Sequence, residues 1–301
     1  MIELEYGAPT DKDAATVRFG IEKGFFRRAG IDLRIKVVFG GPPLAASYDS
    51  GAIQMGEIGS PPAIAALGKG ARFVIVGSGV WRKAHMYFGA RHGINSWEDM
   101  RGRRLGLLTR GSCPEWFVRG MLAHHGFNPD NHLTYVPLHD EYPRIAAVLA
   151  EGRIDAGIMV EPNMSIAEHN GSVRCWGAVY EQPYFPNFQW VVQVARPDFI
   201  AREPELLRMV LAGTREAARY AVANPDEFAG FLSRLFDIPL GVATAAVARQ
   251  ANHLHVDGKI DMAGLNEMIA LQRRLGALNT PMRADDITDL IFQEATVVTS
   301  A

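Results

Sequence analysis

A strand that runs straight into a helix leaves this chain few ways to fold. Residues 51–70, Gly-Ala-Ile-Gln-Met-Gly-Glu-Ile-Gly-Ser-Pro-Pro-Ala-Ile-Ala-Ala-Leu-Gly-Lys-Gly, read as a buried strand over 53–58, a Gly59-Ser60 turn and a helix opening at Pro61 or Pro62. Ser60 is expected at the N-cap, where a hydroxyl accepts an orphan backbone N–H. Proline in the first turn loses nothing, because the N–H it lacks has no partner there anyway. The slim Ala-Ile-Ala-Ala-Leu run lets the helix lie close on a sheet. Such a junction aims backbone N–H groups and the positive dipole end at the crevice beyond the strand, a site for an anion or polar ligand. Any α/β protein has several such junctions, and most bind nothing.

The same unit recurs on both sides. Strands are expected at 2–6, 31–38, 53–58 and 72–77, with a helix over 13–28 closed by Gly30 and another over 44–50 opened by Gly40-Gly41-Pro42-Pro43. This alternation predicts a parallel sheet with right-handed crossovers and helices on both faces. Ligands of such sheets sit beyond the carboxyl ends of the strands, here the loops 7–13, 39–43, 59–61 and 78–82. A second α/β set follows an extended segment at 85–90 and a short helical turn at 94–103 capped by Asn95 or Ser96. Its strands fall at 105–108, 133–137, 154–160 and 173–180, its helices at 114–125, 142–151 and 162–170. A strand at 188–195 returns towards the first set. From residue 202 the pattern is helical (203–223, 226–236, 239–250, 263–275), and without strands of its own this tail is expected to pack on the first sheet.

Composition excludes several classes. With 48% apolar and 21% charged residues in 301, the chain builds ordinary cores. A net charge of −2 argues against a nucleic-acid or anionic-membrane surface. No apolar run approaches the ~20 residues that span a bilayer. Cys113 and Cys175 leave one disulfide open as a possibility and have no metal-ligand spacing. Nor do His85, His92, His124, His125, His132 and His139; the adjacent His124-His125 point about 100° apart on a helix. Neither a metal nor a cofactor is expected. The first strand begins without a basic, apolar leader. The expected location is therefore periplasmic or extracytoplasmic if a leader was removed, and cytoplasmic if Met1 is the native start.

Several segments carry a resemblance. They are Gly20-Ile-Glu-Lys-Gly-Phe-Phe-Arg-Arg-Ala-Gly-Ile-Asp-Leu33, Gly56-Glu-Ile-Gly-Ser-Pro-Pro62, Trp97-Glu-Asp-Met-Arg-Gly-Arg-Arg-Leu-Gly106, Gly152-Arg-Ile-Asp-Ala-Gly-Ile-Met-Val-Glu-Pro162 and Ala223-Asn-Pro-Asp-Glu-Phe228. In this order the chain resembles the type II periplasmic-binding-protein superfamily, in particular the substrate-binding proteins of sulfonate, nitrate and thiamine-pyrimidine-precursor ABC importers. The resemblance implies an α/β, two-lobed fold of two mixed sheets with flanking helices and a helical C-terminal tail. Residues 1–88 and 191–301 would form the first lobe and 89–190 the second, with hinge strands near 87–90 and 187–192. The helix tips at Ser60 and Ser112 would point donors into one cleft, holding a small anionic or aromatic solute such as a sulfonate, nitrate, carboxylate or pyrimidine. It further implies a monomer that hands its ligand to a membrane permease, without inserting into the membrane or binding nucleic acid.

The candidate ligand-binding residues are Thr10, Asp11, Gly41, Pro42, Gly59, Ser60, Trp81, Arg82, Arg110, Gly111, Ser112, Glu161, Tyr184 and Trp190. Arg110 is either a bidentate anion partner or a solvated turn arginine. Asp11 and Asp13 either face the cleft or cap the first helix. Glu161 suits an amine or ring N–H and opposes a purely anionic ligand. Trp81 either stacks on a planar ligand or covers the hinge; Tyr184, Phe185, Phe188 and Trp190 either line the cleft or fill the core. Cys113, beside a helix N-terminus, reads as a packing residue rather than a nucleophile of lowered pKa. The alternative to transport is a cytoplasmic enzyme on the same fold, desulfinase-, decarboxylase- or pyrimidine-synthase-like. The first loop, 7–13, lacks a cysteine and no cysteine cluster exists, so binding without catalysis is preferred.

Overall fold

The computed structural model describes residues 1–81, 83, 85–181, 188–251 and 254–292. Its strands are β1 (Ile2–Ala8), β2 (Ile31–Val37), β3 (Met55–Gly59), β4 (Val74–Ser78), β5 (Tyr87–Ala90), β6 (Arg104–Leu107), β7 (Thr134–Pro137), β8 (Ala156–Met159), β9 (Arg174–Ala178) and β10 (Val191–Ala195). They form two five-stranded sheets, β2-β1-β3-β10-β4 and β7-β6-β8-β5-β9, flanked by helices.

Both sheets are mixed for one geometric reason. β1 runs parallel to β2 and β3, so their carboxyl ends share an edge. The chain leaves β4 at that edge and enters the second sheet from its facing edge. β5 therefore runs away from the gap, antiparallel to β8 and β9. The return repeats the move: β10 enters the first sheet from the gap, antiparallel to β3 and β4. The parallel run expected from the first strands is thus interrupted between β3 and β4 by the returning strand β10, and both sheets are mixed, as the resemblance implied. Tyr87–Ala90 is a full member of the second sheet, and the chain passes between sheets after Ser78 and again before Val191.

Local departures have local causes. The helix expected over 13–28 breaks into Ala15–Glu22 and Phe25–Arg28 at Gly24, whose φ of 77° suits glycine. The bend buries both Phe25 and Phe26. The helix expected over 142–151 opens as a 3₁₀ turn, His139–Arg144, containing Pro143, and becomes α-helical only at Ile145–Ala150. The 94–103 turn is capped reciprocally: the Ser96 hydroxyl accepts from the Asp99 N–H at 3.2 Å, and the Asp99 carboxylate accepts from the Ser96 N–H at 3.1 Å.

The tail packs on the first sheet as expected, but not only there. Leu206, Leu207, Val210 and Leu211 of the helix Pro204–Ala223 cluster with Leu4, Tyr6 and Val17. At roughly 1.5–3 kcal/mol for each large apolar side chain buried, that face outweighs the helix's own propensity and fixes it to the sheet. The helix Met262–Arg274 reaches Ser60–Leu67, with the Gln272 amide donating to the Pro61 carbonyl at 2.7 Å. The helix Leu240–Gln250 goes further. Ala243 and Val247 join the cluster around Phe19 and Phe228, while Arg249 pairs with Glu161 (2.8 Å) and Glu168 at the second sheet. One apolar cluster also runs from Ile64 and Ile75 through Trp81 and Trp190 to Leu105 and Phe117, so the two sheets share a core. Among the described residues no helix is long and apolar enough to cross a membrane.

Candidate functional site

The carboxyl-end loops of the two sheets meet face to face. A Cβ built on Gly59 would lie 2.1 Å from the Cys113 sulfur, and one on Gly40 would lie 2.6 Å from the Thr109 side chain. Only glycine permits this approach. The loops enclose a cavity of about 30 Å³ walled by Pro9, Gly41, Pro62, Tyr142, Cys113 and Trp190, with Asp13 at its side. That is room for a water molecule or two.

The expected anion cradle is not what the junctions build. Gly59 occupies the N-cap, and Ser60 is the first helical residue. Ser60 donates its N–H to the Trp190 carbonyl (2.6 Å) and its hydroxyl to the Gln189 carbonyl, so it clamps the returning chain instead of capping the helix. Ser112 does hold the N-cap position of Cys113–His124, but its hydroxyl donates back to the Thr109 carbonyl. Prolines fill the first turns: Pro42 and Pro43 in Gly41–Ser50, Pro61 and Pro62 in Ser60–Leu67, Pro114 in Cys113–His124. None of these has an N–H to offer. The Gly111 N–H goes to the Glu115 carboxylate at 2.7 Å.

The remaining candidates separate in space. Arg110 forms a bidentate pair with Glu115 (3.0 and 2.7 Å) and lies over the Tyr135 ring at 4.9 Å, its side chain 57% exposed. Asp11 pairs with Arg18 on the outside. Thr10 is buried and donates its hydroxyl to Asp13, while accepting the Asp13 N–H at 3.1 Å. Trp81 is buried 6.3 Å from the Trp190 ring and 5.4 Å from His85. Glu161, preceding a cis Pro162, takes up Arg249 and the Ser165 N–H (3.0 Å), so its carboxylate is already partnered. Arg82 and Tyr184 lie outside the described residues. Cys113 and Cys175 are both free thiols, which removes the possible disulfide.

What gathers at the junction instead is a set of buried ionisable groups. Burial raises the Asp13 carboxyl to about 6, against the opposing Thr10 hydrogen bond and Lys12 charge. Asp13 is half-buried and borders the cavity. Glu57, in the middle of β3, is raised to about 8 by burial and then by Asp13. One Glu57 oxygen accepts weakly from Tyr6 at 3.4 Å and the other has no partner among the described residues. Burial lowers Lys12 to about 7, while Glu161 and Asp13 oppose the drop; its ammonium donates to the Pro143 carbonyl at 3.1 Å. The Cys113 thiol is pushed up to about 12 by burial, despite its hydrogen bond with Trp190. Lys12, Glu57, Tyr142 and Arg249 were not among the sequence candidates. A lone carboxylate in an otherwise apolar strand was the signal for Glu57; Tyr142 and Arg249 gave none.

Two mixed sheets joined by two crossings, with their carboxyl-end loops around one cavity, define the periplasmic-binding-protein fold. Residues 12–228 match the family described as NMT1/THI5 like, and the chain belongs to that family. Among solved structures, the alkanesulfonate-binding protein SsuA from Xanthomonas axonopodis pv. citri bound to MOPS superposes with a TM-score of 0.79 at 16% identity, covering 96% of this chain and 98% of that one. The taurine-binding periplasmic protein of Escherichia coli is 24% identical over 226 residues, 72% of this chain and 68% of its own. A protein of Brucella abortus named as a binding protein is 24% identical over 208 residues, 68% of this chain; the alignment spans 62% of that relative's length.

Proposed function

We propose that this protein is the solute-binding component of an ABC importer. In this reading residues 1–88 with 191–301 form one lobe, residues 89–190 form the other, and a small anionic or aromatic solute is held where their loops meet. The observation that carries it is the common cavity: loops from two sheets bound one space, and the chain crosses between the sheets beside it. Such an arrangement opens and shuts about its waist. A cavity of about 30 Å³ is smaller than any solute of this class, so entry requires the lobes to part. The sulfonate- and taurine-binding names of similar proteins support a periplasmic role and a membrane permease as partner. Binding is monomeric and without catalysis in this reading. A thiol raised to about 12 is no thiolate at neutral pH, which counts against Cys113 as a nucleophile.

Thermal melting with sulfonates, nitrate, aromatic carboxylates and pyrimidines tests it. A specific ligand raises the midpoint by mass action. Turnover of one of these compounds, or no response to any of them or to a charged amidine, overturns the reading.

A further inference from the structure

Among the described residues, the cavity between the sheets carries one charge, and it is negative. Of those that line it, Asp13 is the only charged side chain; the others are apolar or aromatic apart from Cys113 and Ser112, whose hydroxyl is spent on the Thr109 carbonyl. Asp13 receives the Thr10 hydroxyl and has no ion-pair partner within 4 Å among the described residues. Lys12, next in sequence, spends its ammonium on the Pro143 carbonyl.

An oxyanion finds few donors here. Five prolines in the three facing helix starts remove N–H groups, Ser60 and Gly111 have committed theirs, and Arg110 is turned out to Glu115. The helix dipoles still favour negative charge at their tips. Asp13 already supplies that charge from the protein's side.

We propose that the cleft recognises its solute through a protonated amine, amidine or ring N–H on Asp13, with an apolar or planar body against Trp190 and Tyr142, and not through an oxyanion. The inference rests on the solute-binding reading and narrows it to one ligand class. Burying a carboxylate without a countercharge is costly, and a ligand N–H that pairs with it recovers that cost on binding. Opening the lobes wets Asp13, and closing them on a cation desolvates the pair together.

The test uses one skeleton with three head groups: benzamidine, benzamide and benzenesulfonate, titrated calorimetrically into the intact chain and into Asp13→Asn. We expect benzamidine to bind best, benzenesulfonate worst, and Asp13→Asn to weaken benzamidine at least tenfold. A second readout needs no variant. Benzamidine stays charged between pH 5 and 8, whereas Asp13 and Glu57 lose protons and Lys12 loses its charge over that range, all making the site more negative. Cys113, raised to about 12, and Tyr142, raised by burial and then by Asp13, stay neutral. Affinity therefore rises with pH. Tighter binding of benzenesulfonate, or benzamidine affinity indifferent to both Asp13→Asn and pH, overturns the charge assignment and leaves solute binding standing. Failure of all three probes at millimolar concentration counts against the assignment, and failure of the wider melting panel as well removes the binding reading with it.

Discussion

Glu57 shows how far a single residue is readable before the fold is known. Its place in a strand of Ile, Met and Gly marks it as anomalous, since a carboxylate buried without a partner costs several kcal/mol. Only the packed structure says that it is 2% exposed and that Asp13 adds to its strain. Because the folded pKa is raised from 4.5 to about 8, the protonated form contributes stability that is complete below about pH 4.5 and lost as pH rises to about 8. Glu57→Gln has no proton to lose. Its stability advantage over the wild type is expected to open above about pH 4.5, grow by up to about 1.4 kcal/mol per pH unit, and level off near 8. Lys12 acts in the opposite sense, losing stability as pH falls from 10.5 to about 7, but both chains carry it and it cancels in the difference. Urea unfolding at a series of pH values measures this, and a pH-independent difference rules it out. Arg110 teaches the reverse lesson. A Gly-Ser turn at a helix start suggests an anion partner, yet Glu115, five residues on and out of sight of any turn motif, takes the guanidinium.

At the level of elements, strand and helix positions were legible because apolar period and turn residues act locally. The Gly24 break and the 3₁₀ opening at Pro143 were not read, although glycine and proline announced both. The path of the helix Leu240–Gln250 was invisible, because nothing in its sequence says which sheet Arg249 will reach. This helix straps the tail to the second sheet. Arg249→Ala leaves Glu161, whose side chain is 1% exposed, without its countercharge. We expect a loss of about 2–4 kcal/mol, less than a fully buried pair because Arg249 is 30% exposed. Arg249→Met with Glu161→Gln should recover much of it. Equal losses in the single and double variants, by chemical denaturation, would show that an uncompensated Glu161 is not what the single variant costs.

For the molecule as a whole, the contact at Gly59 sets how tightly the two sheets approach. Its backbone is extended (φ −65°, ψ 141°), so alanine is conformationally acceptable there and only the Cys113 sulfur objects. Gly59→Ala is expected to hold the sheets apart: a larger radius of gyration by X-ray scattering, with helix content unchanged by circular dichroism. An unaltered radius would mean that Cys113 gives way locally and that the glycine is not a stop. The broad fold was legible in the sequence, because strand–helix junctions repeated along the chain permit few arrangements and carry their own family signature. The insertion of β10 between β3 and β4, the closing of the gap, and the replacement of an expected oxyanion cradle by a pocket whose one charged side chain among the described residues is a carboxylate came from the three-dimensional structure alone. Hydrophobic period and turn chemistry are properties of neighbours in the chain. Which donors are already spent, and which charge is left facing the cavity, depends on residues brought together from far apart.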